Sequence, residues 1–471
     1  MNAEGSVFKK LLHPEGIAVI GASSKEGTSG FLTIQNLLRS NFEGIYPVNP
    51  KGGTLSGLKV YPSVQDLPQG VETAIILLAA QSVPGALRQC AEKGIKVAII
   101  GSGGFKEKDD EGADLQLELL QIIKETGIRV LGPNCMGVYN ACSGLNFTLT
   151  ATLDQIREQV RPGNISFITQ SGAFGIALFT TGVEIGLNFS KVVSLGNKAD
   201  IDEVEVLEHL GDDPETDVIM TYIEEMKRGR RFYEVAKQVS KKKPIVAFKV
   251  GRTPTGMKAA ASHTGALAGS GRIFSAACKQ GGVIEVESSR AMLEVCKVFA
   301  YQPPLAGNRI GIVTNSGGLA VEVCDLLDDF GLRVPELSPG LQESLVQEGA
   351  VPNWGINKNP VDLTAANRNY PDWYYKSAKM LLASGEVDGI LLIMVGVGLE
   401  WPVERIVEGV EELKAMGKPI LILGTAKRKI MEAVVPKYQN VDIPVIDDVR
   451  IAARSMAALR ERGRYEGGLM K

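Results

Sequence analysis

The sequence predicts an α/β protein built from doubly wound parallel sheets. Short apolar runs rich in valine and isoleucine alternate along the chain with patterns typical of helices. Many of these runs end in glycine or serine, as in residues 16–21 and 310–316. Parallel sheets bind their ligands in turns at the carboxyl ends of the strands. A chain of 471 residues exceeds one ordinary core, so we expect several domains.

The bulk composition excludes several classes of protein. A net charge of −3, with 22% charged residues, is not expected of a protein that binds nucleic acid. The amino terminus is polar and no run of about 18 apolar residues occurs, so we predict neither a signal peptide nor a membrane span. The six cysteines lack C-x-x-C spacing. We therefore expect reduced thiols in a cytoplasmic protein, without a disulfide framework or a metal site.

Three domains are predicted, at residues 1–145, 160–300 and 307–471. Weak periodicity ending in Arg161-Pro-Gly marks the first boundary, and Tyr301-Gln-Pro-Pro begins the second linker. Beyond that linker the pattern restarts, because Thr314-Asn-Ser-Gly-Gly repeats the earlier Thr169-Gln-Ser-Gly-Ala. The second and third domains are thus predicted to be two copies of one βα unit.

The turn after the first predicted strand is a candidate phosphate site. Glycine and serine are frequent in residues 21–30, between that strand and a helical pattern, and free backbone N–H groups at such a helix start bind anions. The spacing is not G-x-G-x-x-G, and the second strand is followed by Asn49 and Lys51 instead of an acidic residue. This argues against NAD and suits a nucleotide with an extra phosphate. A plain βα turn and a solvated lysine remain the alternatives.

Two Ser-Gly turns, at Ser171 and Ser316, lie between a predicted strand and a helix. Each is a candidate anion site, and a plain helix N-cap is the alternative for either turn alone. A third strand of the second domain ends in the carboxylates Glu224 and Glu225. Because neighbouring strand residues point to opposite faces, we expect only one of the two to face the site. Together these features favour a protein that handles phosphate.

Residues 258–269 contain His263, one of only three histidines, among small side chains. One interpretation is a glycine- and alanine-rich surface loop with an incidental histidine. The other is a mobile loop that presents an imidazole as nucleophile or proton carrier.

The chain resembles the α subunit of ADP-forming acyl-CoA synthetases, which are relatives of succinyl-CoA synthetase. The resemblance spans nearly the whole chain and depends on ordered motifs, among them Ser262-His263-Thr264-Gly265, Gly132-Pro-Asn-Cys-Met-Gly137 and Gln170-Ser171-Gly172. It implies a Rossmann-like CoA-binding domain followed by two flavodoxin-like domains. It also implies that the ATP-grasp domain, with ADP or ATP and Mg, sits on a separate β subunit in an αβ or α2β2 assembly.

The resemblance further implies the reaction acyl-CoA + ADP + phosphate ⇌ carboxylate + CoA + ATP, through an acyl phosphate and a phosphohistidine at His263. Glu224, preferred over Glu225, would orient the histidine. The acid is left open among acetate, branched and aryl acids. A CoA-binding or phosphorelay module without ligase activity is the alternative function, and an NAD-dependent dehydrogenase is disfavoured.

The remaining site residues are implied by the same resemblance. The positions expected to contact CoA are Ser23, Ser24, Lys25, Lys51, Ser102, Asn134 and Cys135. The positions expected to hold phosphate or acyl phosphate are Ser171, Gly172, Ala173, Asn315, Ser316, Gly317, Gly318, Gly396 and Gly398. Cys135 is predicted to pack along the pantetheine path and not to act as a nucleophile.

Overall fold

A computed structural model describes residues 3–152, 156, 158–264, 270–364, 369–396 and 403–466. The chain divides into two compact units, Met1–Ser289 and Arg290–Lys471. The first unit contains two large sheets and one two-stranded sheet, and the predicted domain 1–145 and most of the predicted domain 160–300 lie within it. The boundary at 145–160 stays a prediction.

The first sheet is entirely parallel and has the order β2-β1-β5-β6-β7. This is the doubly wound order, with a switch point between β1 and β5. The strands of this sheet are β1 (Ile17–Ile20), β2 (Ile45–Val48), β5 (Thr73–Ile76), β6 (Val97–Ile100) and β7 (Arg129–Leu131). A small antiparallel pair and four helices complete the region: β3 (Thr54–Leu55), β4 (Leu58–Lys59), α1 (Ala3–Leu12), α2 (Ser29–Arg39), α3 (Val83–Lys93) and α4 (Asp110–Thr126).

The second sheet has the order β14-β13-β12-β10-β11-β8-β9. Its strands are β8 (Val138–Asn140), β9 (Leu145–Asn146), β10 (Pro162–Thr169), β11 (Phe189–Ser194), β12 (Val218–Ile223), β13 (Ile245–Lys249) and β14 (Val283–Glu285). Strands β10 to β14 are parallel, whereas β8 pairs antiparallel with β11. Residues 138–145, which belong to the predicted first domain, therefore extend the second sheet together with Asn146. Pairing between distant strands follows from tertiary packing and not from the local sequence pattern.

The helices of the first unit that follow β10 are α5 (Ala173–Glu184), α6 (Glu203–Asp212), α7 (Gly229–Val239), α8 (Pro254–Thr264) and α9 (Gly271–Gly281). The prediction that the His263 segment is a loop is wrong for the part up to Thr264, because helix α8 includes it. Three consecutive alanines follow Lys258, and alanine has the highest helix propensity of any residue. Residues 265–269 lie outside the described part of the chain.

The second unit contains one parallel sheet in the order β16-β15-β17-β18-β19. Its strands are β15 (Ile310–Thr314), β16 (Val361–Asp362), β17 (Gly389–Val395), β18 (Ile420–Thr425) and β19 (Val445–Ile446). The parallel strands β11-β10-β12-β13-β14 and β16-β15-β17-β18-β19 have the same order, as the predicted duplication requires. The first sheet has this order too, so the duplication stays a prediction. The helices of this unit are α10 (Ser289–Tyr301), α11 (Gly317–Asp329), α12 (Pro339–Gln347), α13 (Tyr370–Ala383), α14 (Val403–Glu408), α15 (Val410–Lys414), α16 (Arg428–Gln439) and α17 (Val449–Glu466).

The central strands are buried on both faces, as parallel sheets covered by helices require. This explains why they appear in the sequence as continuous apolar runs. All six cysteines carry free thiols. Among the described helices none is both long and apolar enough to cross a bilayer. Within the same residues there is no group of three or more His, Cys, Asp or Glu side chains arranged to hold a metal ion.

Candidate active site

A cavity of about 350 Å³ lies in the first unit, where five strands end. Its walls come from the segments directly after β6, β7, β10, β11 and β12, so every wall begins at the carboxyl end of a strand. The lining residues belong to the ranges 101–107, 134–136, 170–173, 196–198 and 224–225. The cavity therefore lies where doubly wound sheets bind ligands.

Two of these segments are locked together by the backbone. Gly196 has a φ of +56°, and a Cβ added there would be 2.2 Å from the Pro133 carbonyl oxygen. Asn197 N–H donates to that same oxygen at 2.8 Å, and Ala199 N–H donates to Gly132 O at 2.8 Å. Only glycine fits at position 196. The Gly132–Gly137 and Gly196–Lys198 motifs thus form one wall of the cavity.

Helix α5 points its amino-terminal end at the cavity. Its start is formed by Ser171, Gly172 and Ala173, all three of which line the cavity. The N-cap is Gly172, which has no side chain that could accept a hydrogen bond from the first N–H groups. The plain N-cap interpretation of Ser171 is therefore wrong. Uncapped N–H groups and the positive end of the helix dipole suit an anion.

Glu224 and Glu225 both line the cavity. Because β12 ends at Ile223, strand alternation does not apply to the two glutamates, and the expectation that only one carboxylate faces the site stays a prediction. Glu225 is paired with Lys106, whose Nζ lies 3.7 Å from Glu225 Oε2. Glu224 lies near Tyr222, whose pKa is raised by burial and by the Glu224 charge. Both carboxylates also interact electrostatically with the buried Lys249, so their surroundings overlap.

The predicted CoA residues occupy the carboxyl edge of the first sheet. Ser23, Ser24 and Lys25 follow β1, and Lys51 follows β2; Ser24 and both lysines are exposed. Ser102 follows β6, and its carbonyl accepts a hydrogen bond from Asn134 N–H at 2.9 Å.

Asn134 and Cys135 lie in the cavity wall, whereas the other five predicted CoA positions do not. The turn after β1 differs from that before α5, because the Thr28 side chain caps α2 by accepting from Phe31 N–H. Exposed cations at this edge fit the phosphates of a nucleotide.

Cys135 is a packed residue. Its side chain is 1% exposed, and Sγ lies 3.5 Å from the Ile100 carbonyl oxygen. Burial raises the pKa of the Cys135 thiol to about 12. A thiol that stays protonated at neutral pH is a poor nucleophile.

Several cavity residues were not predicted, and the chief among them are Lys106, Glu107, Asn197 and Lys198. Glu107 Oε1 accepts from Gly104 N–H at 2.7 Å, and Oε2 accepts from Asn197 Nδ2 at 2.5 Å. Burial opposes ionisation of Glu107, but these hydrogen bonds lower its pKa. The role of Glu107 could have been predicted from the sequence. A glutamate three residues after a Gly-Gly turn can accept hydrogen bonds from the backbone N–H groups of that turn.

The duplicated turn in the second unit has a different electrostatic setting. Helix α11 also starts without a side-chain cap, with Ser316 as its N-cap and Gly317 as its first residue. A Cβ on Gly317 would lie 2.9 Å from Asp362 Oδ2, whereas a Cβ on Gly172 would meet the neutral side chain of Met136 at 2.8 Å. A carboxylate beside α11 makes this helix start less favourable for a phosphate than that of α5.

Asn315 holds the end of a neighbouring strand in the second unit. Its amide exchanges two hydrogen bonds with the backbone of Val395, each of 2.9 Å. Gly396 follows, and its N–H donates to Thr425 O at 2.8 Å. Gly398 lies outside the described residues. The roles predicted for Asn315, Ser316, Gly317, Gly318, Gly396 and Gly398 stay predictions.

His263 lies near the carboxyl end of helix α8, which follows β13 in the first unit. Its side chain lies outside the described part of the chain, so the predicted pairing of the imidazole with Glu224 stays a prediction.

Comparison with known proteins agrees with this architecture. Residues 15–141 match the family described as "CoA binding domain", and residues 162–299 match "Succinyl-CoA ligase like flavodoxin domain". The α subunit of ADP-forming acetate–CoA ligase II from Pyrococcus furiosus is 38% identical over 97% of this chain and 98% of its own length. The chain belongs to the family of ADP-forming acetate–CoA ligase α subunits.

Two further relatives bear on the family's organisation. A dinucleotide-forming acetyl-coenzyme A synthetase of Candidatus Korarchaeum cryptofilum, solved with phosphate and ADP, has a TM-score of 0.89 and 35% identity, with 98% of each chain covered. An ADP-forming acetate–CoA ligase of Methanocaldococcus jannaschii is 38% identical over 76% of this chain but only 49% of its own length. The relatives are named as α subunits, which implies that this chain has a partner subunit.

Proposed function

We propose that this chain is the α subunit of an ADP-forming acyl-CoA synthetase, which interconverts acyl-CoA, ADP and phosphate with a carboxylate, CoA and ATP. One observation carries the proposal. The cavity combines an uncapped helix start with two carboxylates, and one wall holds Asn134 and Cys135 from the CoA-binding region. An anion site next to a thioester site is what phosphorolysis of acyl-CoA requires.

In the proposed reaction, phosphate bound at the start of α5 attacks the thioester carbonyl. CoA leaves as a thiolate, and an acyl phosphate remains in the cavity. A neutral imidazole nitrogen of His263 then attacks phosphorus, and the carboxylate is released. The N–H groups of residues 171–173 stabilise charge on the phosphoryl oxygens throughout, because they are oriented before the reaction begins.

Glu224 is proposed to accept a hydrogen bond from the second ring nitrogen of His263, which fixes the tautomer and stabilises the phosphorylated ring. The place of Glu224 directly after the end of β12, in the cavity wall, supports this role. Burial keeps Cys135 protonated, so the thioester is not transferred to this thiol.

The phosphoryl group is proposed to leave His263 for ADP on a partner subunit with an ATP-grasp fold. The lengths of the relatives support a partner, because this chain matches almost all of a relative named as a subunit and about half of one named as a whole ligase. The nucleotide and its Mg²⁺ would be held by the partner. The free thiols agree with a cytoplasmic location, which we propose as well.

Co-purification of this chain with an ATP-grasp partner tests the proposal. We expect ATP formation that requires acetyl-CoA or another acyl-CoA, ADP and phosphate together, and a panel of acyl-CoA substrates identifies the acid. His263→Asn should abolish ATP formation while CoA binding, measured by calorimetry, is unchanged. CoA binding without ATP formation by the wild-type pair would instead indicate a binding or phosphorelay module.

A further inference from the structure

We propose that Gln170 is the positioning residue that fixes Glu224 and Glu225 in the cavity, and so sets the geometry of phosphoryl transfer. This inference rests on the proposed function. Gln170 follows β10, is 6% exposed and lies beside the end of β12. The side-chain amide of Gln170 provides this positioning, and the neighbouring Ser-Gly turn does not.

The Gln170 amide contacts both glutamates through the backbone. The N–H groups of Glu224 and Glu225 donate to Gln170 Oε1 at 2.8 and 2.9 Å. On the other side, Gln170 Nε2 donates to Glu225 O at 2.8 Å. Because two donors face Oε1 and an acceptor faces Nε2, the partners determine the orientation of the amide.

Two buried lysines complete the set of contacts. Lys249 Nζ donates to Glu224 O at 2.7 Å, and Lys198 Nζ donates to Glu225 O at 2.7 Å. Side chains therefore satisfy all four main-chain polar groups of the two glutamates. These hydrogen bonds fix the backbone of the two glutamates at the cavity wall, and their carboxylate side chains extend from that fixed backbone.

A buried carboxylate holds Gln170 in turn. Glu203 is 2% exposed, and its Oε2 accepts from Gln170 Nε2 at 3.2 Å and lies 3.0 Å from Lys198 Nζ. The other oxygen, Oε1, has no hydrogen-bond partner among the described residues. A buried carboxylate with an unsatisfied oxygen is costly for stability. The arrangement is thus better explained by a need for position than by a need for stability.

The duplicated unit provides an internal comparison. Asn315 occupies the equivalent place after β15. Its amide bonds to the backbone of Val395 at the end of β17, and its side chain also contacts Tyr370. No carboxylate follows there, since the next residue is Gly396. Holding a strand end is common to both units. The longer glutamine, whose amide bonds to Glu203, Glu224 and Glu225, and the two lysines occur in the unit that carries the carboxylates.

The test compares three variants of the chain in complex with its partner. Gln170→Met keeps the length and removes all hydrogen bonds, and Gln170→Asn keeps the amide but shortens its reach. Thr221→Val is the matched control, because it removes a different buried hydrogen bond on β12, from Thr221 Oγ1 to Val246 O at 3.2 Å. Thermal unfolding of all three measures the purely structural effect.

We expect kcat of Gln170→Met to fall about a hundredfold, the scale for reacting groups displaced by about 1 Å. The KM for acetyl-CoA should change less than about threefold, and labelling of the chain by radioactive phosphate should slow in proportion to kcat. Gln170→Asn should lie between the wild type and Gln170→Met. Thr221→Val should keep the wild-type kcat even if its midpoint of thermal unfolding falls as far as that of Gln170→Met.

The outcomes separate the inference from the proposed function. If the wild-type pair forms ATP but Gln170→Met and Gln170→Asn lose no more kcat than Thr221→Val, the positioning role is wrong and the proposed function stands. If the wild-type pair forms no ATP, both fail. If Gln170→Met does not fold, Gln170→Asn decides, because it keeps a buried amide in place.

Discussion

At the scale of the residue, the surroundings of a side chain decide its chemistry. The sequence predicted that Cys135 packs and does not react, and its burial and raised pKa agree. It could not predict that Glu225 pairs with Lys106, or that Glu107 bonds to Asn197, because these contacts join segments far apart in the chain. Residue types next to a strand end are readable from sequence, whereas their partners across the site depend on the fold.

The raised thiol pKa values predict how stability depends on alkaline pH. Burial raises the pKa of both Cys90 and Cys135 from 9.0 to about 12. The unfolded chain therefore loses these protons first, so their stabilisation is complete below pH 9 and is lost as pH rises towards 12. For one thiol the full difference corresponds to about 4 kcal/mol.

We expect the free energy of unfolding, measured in urea, to fall between pH 9 and 12, and to fall less steeply in Cys135→Ala. The comparison uses the slopes of the free energy of unfolding against pH. The packing that alanine loses at position 135 therefore does not affect the result. Equal slopes for the variant and the wild type would contradict the burial argument.

At the scale of the element, central strands were predicted more reliably than helices and the outer strands of the sheets. Continuous apolar runs bounded by glycine identify fully buried parallel strands, since both faces are covered by helices. The antiparallel addition of β8 was not predicted, because its three residues carry no signal for the distant strand β11. Helix α8 was missed because the prediction relied on the small size of the side chains around His263 and not on the high helix propensity of the alanines after Lys258.

A negative charge introduced in the first turn of α5 should have opposite effects on stability and on phosphate binding. Ala173→Asp places a carboxylate at an uncapped helix start, which should raise stability by about 0.3–1 kcal/mol. The same charge should repel phosphate and raise its KM about tenfold or more. Thermal unfolding and the phosphate dependence of ATP formation measure the two effects.

Ala173→Asn is the control for this change, because it adds a side chain of similar size without charge. It should leave the phosphate KM closer to that of the wild type. A phosphate KM that Ala173→Asp does not change would show that the anion binds elsewhere.

At the scale of the whole molecule, duplication is visible in the sequence but its consequences are not. The repeated Ser-Gly turns predicted two equivalent units, and the matching strand orders are compatible with that prediction. The turns have nevertheless diverged, since Met136 lies beside one and Asp362 beside the other. The chain divides into two compact units, and β8 pairs with the sheet of the second predicted domain, while the three predicted domains stay a prediction.

The division into subunits predicts that this chain performs half of the reaction alone. The cavity, both glutamates and the helix that includes His263 all belong to the unit Met1–Ser289. Given acetyl-CoA and radioactive phosphate, the isolated chain should therefore become labelled, with the acid lability of a phosphohistidine. No ATP should form on addition of ADP until the partner is supplied.

His263→Asn is the control for this experiment, since it removes the nucleophile and leaves the cavity residues unchanged. It should bind CoA and remain unlabelled. Labelling of the wild type only in the presence of the partner would mean that the partner contributes groups to the first half of the reaction. ATP formation by the isolated chain would refute the division altogether, because the nucleotide site would then lie on this chain.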